Sequence, residues 1–130
     1  MKYDKVIYIS HPYGGKKENE DEVASIINRL QKKYPTYLFI SPIHAFSFQY
    51  HAVDYEVGIQ KCLWLLYRCD EMWVFGDWKL SKGVCREIIE CEKVHKPYKI
   101  CVDNRGICSE EDCLHCPVAY FDDGGIYCGL

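Results

Sequence analysis

The sequence predicts an α/β domain in which a small parallel sheet is covered by helices on both faces. Three observations lead there. Short β-branched and aromatic runs alternate along the chain with segments of helical period, as in crossover-connected parallel sheets. The run Glu71-Met72-Trp73-Val74-Phe75 is apolar at nearly every position, so it lacks the polar alternation of a strand with one wet face. A length of 130 residues suits one compact domain and is too short for two.

Each element follows in order. Lys5–Ile9 is short, β-branched and aromatic, and reads as a buried strand. Pro12 and the Gly14-Gly15 pair stop it. Asn19 or Asp21 can cap the next helix, whose Val23, Ile26, Ile27 and Leu30 fall on one face, and Pro35 closes it. Tyr37–Ser41 is a second strand, ended by Pro42. Ile43–Val53 is aromatic and His-bearing without a clear period, so it is a loop or a short helix. A helix covers Tyr55–Tyr67, Asp70 serves its turn into the third strand at Glu71–Phe75, and Gly76–Lys82 forms a polar loop. Val84, Ile88 and Cys91 give the next helix its inner side, Pro97 ends it, and Tyr98–Val102 is the fourth strand. The order β-α-β-α-β-α-β is that of a flavodoxin-like or Rossmann-like three-layer sandwich. Residues 1–103 form that domain and 104–130 a Cys-rich extension of it.

Composition narrows the function. The formal net charge of −3 argues against a general nucleic-acid binder. There is no apolar run long enough for a membrane span, and the amino-terminal residues lack the character of a signal peptide. The cysteine count of nine is odd and unevenly placed, which suits reduced thiols in a cytoplasmic protein better than a secreted disulfide framework. Cys62, Cys69, Cys85, Cys91 and Cys101 fall in predicted helices and strands, where thiols act as small hydrophobes. Cys108, Cys113, Cys116 and Cys128 contain one C-x2-C pair and are candidate ligands of a structural zinc, with free thiols or a labile disulfide as the alternative.

Parallel sheets bind ligands beyond the carboxyl ends of their strands, at the switch in strand order. The segments placed there are rich in chemistry: Ser10, His11, Tyr13, Gly14 and Gly15 after the first strand, His44 after the second, and Asp77, Trp78, Ser81 and Gly83 after the third. Ser81 stands where a helix begins, and the free N–H groups of a first turn attract anions. Glu87 lies about one turn beyond Gly83 on that helix. On spacing alone, Ser81 reads as a simple cap and Glu87 as a surface acid paired with Arg86 or Lys93. Tyr8 and Trp78 are candidates to edge or stack on a ligand, or are ordinary packing residues. His11 and His44 are hydrogen-bonded loop residues or, in a catalytic setting, proton donors or phosphate contacts.

Ile7-Tyr8-Ile9-Ser10-His11-Pro12-Tyr13-Gly14-Gly15, and Cys69-Asp70-Glu71-Met72-Trp73-Val74-Phe75-Gly76 followed by Ser81-x-Gly83-x-x-x-Glu87, together resemble the nucleoside 2-deoxyribosyltransferase superfamily over roughly residues 5 to 102. The resemblance implies cleavage or exchange of the N-glycosidic bond of a nucleoside or nucleoside 5′-monophosphate, without a cofactor. Glu87 would be the nucleophile that forms a covalent glycosyl-enzyme, as in retaining glycosidases. A serine at position 81, where the nucleoside transferases carry an aspartate and the related 5′-monophosphate hydrolases a serine, implies a phosphorylated substrate. The resemblance also implies a homo-oligomer, with the aromatic segment Phe46 to Tyr55 as its interface. The chain departs from the pattern at Cys62, where the hydrolases keep an aspartate. Asp54, Glu56 and Asp77 are the candidate replacements, Asp77 being best placed on its loop. A thiol in that position leaves open a second expectation, a module that binds or senses nucleotides without turnover.

Overall fold

The structure, a computed structural model, describes residues 2–101 and, beyond them, the two strands Tyr120–Asp122 and Gly125–Tyr127. Tail residues Cys108, Cys113, Cys116 and Cys128, with the zinc expected of them, lie outside the described residues.

The chain forms β1 (Lys5–Ser10), α1 (Lys17–Lys33), β2 (Tyr37–Ile40), α2 (Pro42–Phe46), α3 (Tyr55–Tyr67), β3 (Glu71–Val74), α4 (Lys82–Lys93) and β4 (Tyr98–Ile100). Tyr120–Asp122 and Gly125–Tyr127, β5 and β6, pair antiparallel with each other. The main sheet is parallel throughout, in the order β2-β1-β3-β4. The chain leaves β1 in one direction to build β2 and returns to its other side to build β3. The switch point therefore lies between the carboxyl ends of β1 and β3, and the expected α/β sandwich is the fold.

Alternation along the two central strands sorts the core into two layers. Ile7, Ile9, Trp73 and Phe75 turn towards α1 and meet its Val23, Ile26 and Leu30. Tyr8, Met72 and Val74 turn the other way, towards Ile59, Leu63 and Leu66 of α3 and Val84 and Cys91 of α4. A two-residue period on a sheet buried on both faces produces this split, and it explains why β3 reads as a continuous apolar run. Among the described residues no helix is long and apolar enough to cross a membrane.

Local chemistry sets the ends of the elements. Gly14 and Gly15 adopt left-handed φ values of 62° and 73°, which turn the chain into α1 at once. The helix consequently starts earlier than Asn19 or Asp21 would cap it. Lys16 holds the cap position without a side-chain bond, Asn19 instead donates to the Tyr13 carbonyl at 2.7 Å, and Asp21 pairs with Lys17. The acids Glu18 and Glu20 in its first turn suit the helix dipole. Ile43–Val53 resolves into α2, capped by Ser41, and a 3₁₀ turn at Ser47–Gln49, leaving Phe48 and Tyr50 exposed. Asp70 fixes the far end of the sheet by accepting the Val6 N–H at 2.6 Å.

Candidate active site

Glu87 is the centre of the site. Its helix presents Val84, Glu87 and Cys91 inward at the i, i+3, i+7 spacing of one face, so the carboxyl group enters the core beside β1 and is only 6% exposed. Two donors meet it there. The Tyr8 hydroxyl donates to Oε2, and the Ser10 hydroxyl donates to Oε1 at 3.0 Å. Tyr8 and Ser10 are two residues apart on β1, so they share the face that α4 covers. The reading of Glu87 as a surface acid is overturned. Arg86 reaches Glu56 instead, at 2.6 Å.

Burial disfavours the charged carboxylate and raises the Glu87 pKa from 4.5 to about 7, against the pull of the Tyr8 and Ser10 hydrogen bonds. Tyr8 is fully buried, and burial together with the adjacent Glu87 charge pushes its pKa well above 10, so it stays a proton donor. Cys62, on α3, lies within hydrogen-bonding reach of Tyr8. Burial first, and the Glu87 charge second, raise its thiol to about 11 and keep it protonated.

Glu87 opens into a chamber of about 330 Å³, within the range of about 300–1,000 Å³ common for small-molecule sites. Its walls come from the loop after β1, from α2 and the 3₁₀ turn behind it, from α3, and from the start of α4. Tyr13, Phe46, Tyr50 and Tyr55 supply aromatic surface, and Tyr13 meets Tyr50 edge to face with ring centroids 4.9 Å apart. A second, more polar cavity of about 520 Å³ shares His11, Tyr13, Gly14, Ser81 and Gly83 with the chamber and adds Lys16, Lys82 and Asp77. The shared residues make it a vestibule.

The structure brings most of the expected residues together. His11, Tyr13, Gly14, Ser81 and Gly83 line both spaces, and Glu87 lines the inner one. Ser81 caps α4 by accepting the Val84 N–H at 3.3 Å. Gly83 lies so close to Ile59 that an added Cβ would come within 3.3 Å of its Cδ1. His11 is buried with both ring nitrogens engaged. Nδ1 donates to the Pro12 carbonyl at 2.7 Å, and Nε2 lies 2.5 Å from the Glu22 carboxylate.

Other expectations are corrected. Tyr8 does not edge a ligand: it lies behind Glu87, fully buried. Asp77 lines the vestibule and is absent from the walls of Glu87's chamber, because the 3₁₀ turn Trp78–Leu80 follows it and carries the chain out to Ser81. Trp78 packs against the core on the α4 side of the sheet, with Lys79 5.6 Å above its ring, and lines neither space. His44 is exposed and engaged with its own helix cap, Nδ1 lying 2.7 Å from Ser41 Oγ. Gly15 also lies outside both spaces and is pressed against Tyr50, 2.9 Å from where a Cβ would sit.

Sequence reasoning missed Ser10 as a ligand of Glu87, although its spacing from Tyr8 carried that signal. It also missed Gln49 and Lys61, which line the chamber and are joined by a 2.5 Å hydrogen bond from Lys61 Nζ to Gln49 Oε1. Asp54, named only as an alternative acid, is the carboxyl that shares the chamber walls with Glu87. Among the described residues, no cluster of His, Cys, Asp or Glu has the geometry of a metal site.

The chain belongs to the family described as Domain of unknown function (DUF7768), which matches residues 5–101. That span begins at β1 and ends just past β4, so it contains every residue of the chamber and vestibule. Among solved structures, the chain is similar to a conserved protein from Enterococcus faecalis V583, with a TM-score of 0.65 at 14% identity over 85% of this chain and 74% of that one. The likeness is one of fold. No curated protein matches the chain.

Proposed function

We propose that this protein cleaves or exchanges the N-glycosidic bond of a nucleoside 5′-monophosphate through a covalent intermediate on Glu87. The observation that carries the reading is a buried carboxyl group, held by two hydroxyl donors, at the wall of a small aromatic chamber. The resemblance of the β1 loop and the Ser81-x-Gly83-x-x-x-Glu87 segment to the nucleoside 2-deoxyribosyltransferase superfamily supports the same chemistry.

In this scheme the sugar and base occupy the chamber and the phosphate faces the vestibule, where Ser81, the first turn of α4, Lys16 and Lys82 favour an anion against the acids Asp77 and Glu22, the second of which is engaged by His11. A Glu87 carboxylate oxygen attacks the anomeric carbon. The C–N bond breaks with its electron pair on the base, which takes up a proton. Water, or the N–H of a second base, then attacks the glycosyl ester and releases the carboxylate. Before bonding, the fixed charge of Glu87 stabilises an oxocarbenium-like transition state. Tyr8 and Ser10 hold the carboxylate in one orientation. Asp54 takes the proton-donor role in place of Asp77, since it shares the chamber with Glu87. A cytoplasmic setting belongs to the same reading, consistent with free thiols at the five described cysteines.

The test is chromatographic. Nucleoside monophosphates are incubated with the protein and free base is measured. Glu87→Ala is expected to lose base release by about 10⁴-fold or more while keeping its fold, and full activity in that variant would refute the mechanism. The Cys62 thiol, protonated and weakly acidic beside Glu87, favours a second reading in which nucleotides are bound without turnover. Calorimetric binding with no base release over hours would select it.

A further inference from the structure

The chamber has two ends. One opens to the vestibule through walls common to both, including Ser81 and Gly83. The other carries Gln49 and Lys61, which take no part in the vestibule. Gly83 packs against Tyr55 and Ile59, near the start of α3. Lys61 lies six residues beyond Tyr55, which is about 9 Å along a helix axis. A nucleotide whose phosphate faces the vestibule therefore extends its base towards Gln49 and Lys61.

The chemistry of that end is one-sided. Lys61 Nζ donates to Gln49 Oε1 at 2.5 Å, and this bond fixes the sense of the Gln49 amide. With its oxygen occupied by a cation, Gln49 has its NH₂ group left to offer. Lys61 has only protons to give. The pair is part-buried and stands between the chamber and an outer groove lined by Phe48, Val57 and Trp64, so only its chamber side meets a ligand held beside Glu87.

We propose that the Gln49–Lys61 pair reads a carbonyl oxygen of the base, so that the site selects 6-oxopurine and 4-oxopyrimidine nucleotides over their amino counterparts. A carbonyl accepts from either donor. An exocyclic amine in the same place points protons at protons and strands both. The preference rests on the nucleotide reading of the chamber and extends it from a substrate type to a class of base.

The test compares ligands that differ at that edge of the base. Binding of the 5′-monophosphates of deoxyuridine and deoxycytidine, and of deoxyinosine and deoxyadenosine, is measured by calorimetry on the full chain carrying Glu87→Gln, which prevents turnover. The carbonyl member of each pair is expected to bind about tenfold or more tightly, the scale of leaving a part-buried donor unmatched. Lys61→Met should bring each ratio close to one, because the Gln49 amide is then free to turn its oxygen towards an amine, and Gln49→Leu, which leaves Lys61 as a donor, should lower the ratios less, with thermal melts confirming that both variants fold. Equal affinities within each pair, or a ratio that survives in Lys61→Met, would overturn the proposal while leaving the nucleotide reading in place. Failure of all four ligands to bind would overturn both.

Discussion

Replacing Glu87 by glutamine should make the protein more stable at neutral and alkaline pH, although it removes the group on which the proposed chemistry depends. The unfolded chain releases the Glu87 proton near 4.5, and the folded chain holds it until about pH 7. Between those values the folded state binds more protons than the unfolded one, so stability falls as pH rises. The stabilisation is fully present below pH 4.5 and is lost by the time pH has passed 7. From 4.5 to about 7, the linkage is worth about 3 kcal/mol in total, and about 2–3 kcal/mol between pH 5 and pH 8. Glutamine has the same shape, keeps an oxygen for one hydroxyl and offers an NH₂ to the other, and does not titrate. Urea unfolding of both proteins at pH 5 and pH 8 isolates the effect, because every other group cancels in the difference. The variant should gain about 2–3 kcal/mol on the parent over that range. Parallel stabilities at the two pH values would mean that the carboxyl group is ionised throughout, and would refute the account of a desolvated acid.

Two further outcomes follow from the same geometry. Tyr8→Phe removes the donor to Glu87 Oε2 without emptying the core, so Glu87 should titrate higher and the rise of kcat/KM with pH should move upward. A pH–rate profile unchanged from the parent would contradict that role for Tyr8. Gly76→Ala should cost about 1–3 kcal/mol in chemical denaturation. Its φ is +79°, and a Cβ there would sit 3.0 Å from Pro12 Cδ and 3.1 Å from His11 Nε2, so a neutral result would show that the β1 loop yields easily.

How much of this was legible in the sequence depends on the range of the interaction. The sandwich was legible because a 3.6-residue period runs through Val23–Leu30 and a nearly continuous apolar run marks Glu71–Phe75 as a strand covered on both faces. The boundaries of α3 were read to the residue, Tyr55 to Tyr67. The start of α1 was misread because the left-handed turn at Gly14 and Gly15 overrode the capping preference of Asn19 and Asp21. In the site, spacing placed Ser81 and Glu87 on one cap and helix, and the family resemblance marked Glu87 as more than a surface acid. Gln49 and Lys61 escaped because they belong to separate elements, and only tertiary packing makes them neighbours. Asp77 was misplaced for a related reason: proximity to β3 in sequence says nothing about which side of the Trp78–Leu80 turn a side chain takes.

The position of Glu87 carries an argument of its own. Val84 and Cys91, which share its helix face, show what packing alone asks for there: small or branched apolar side chains. A glutamate in their midst lowers stability at neutral pH by the linkage worked out above, and an alanine or leucine would avoid that cost. Two hydroxyl groups, Tyr8 and Ser10, are committed to holding the acid. A group that destabilises the fold, sits in a cavity and titrates near neutrality is the kind of residue that catalytic acids, bases and nucleophiles require. Structural ion pairs also perturb titration, but Glu87's hydrogen-bond partners are neutral hydroxyls, so no ion pair offsets its desolvation. The proposed chemistry in the chamber that the carboxyl group faces would account for that cost.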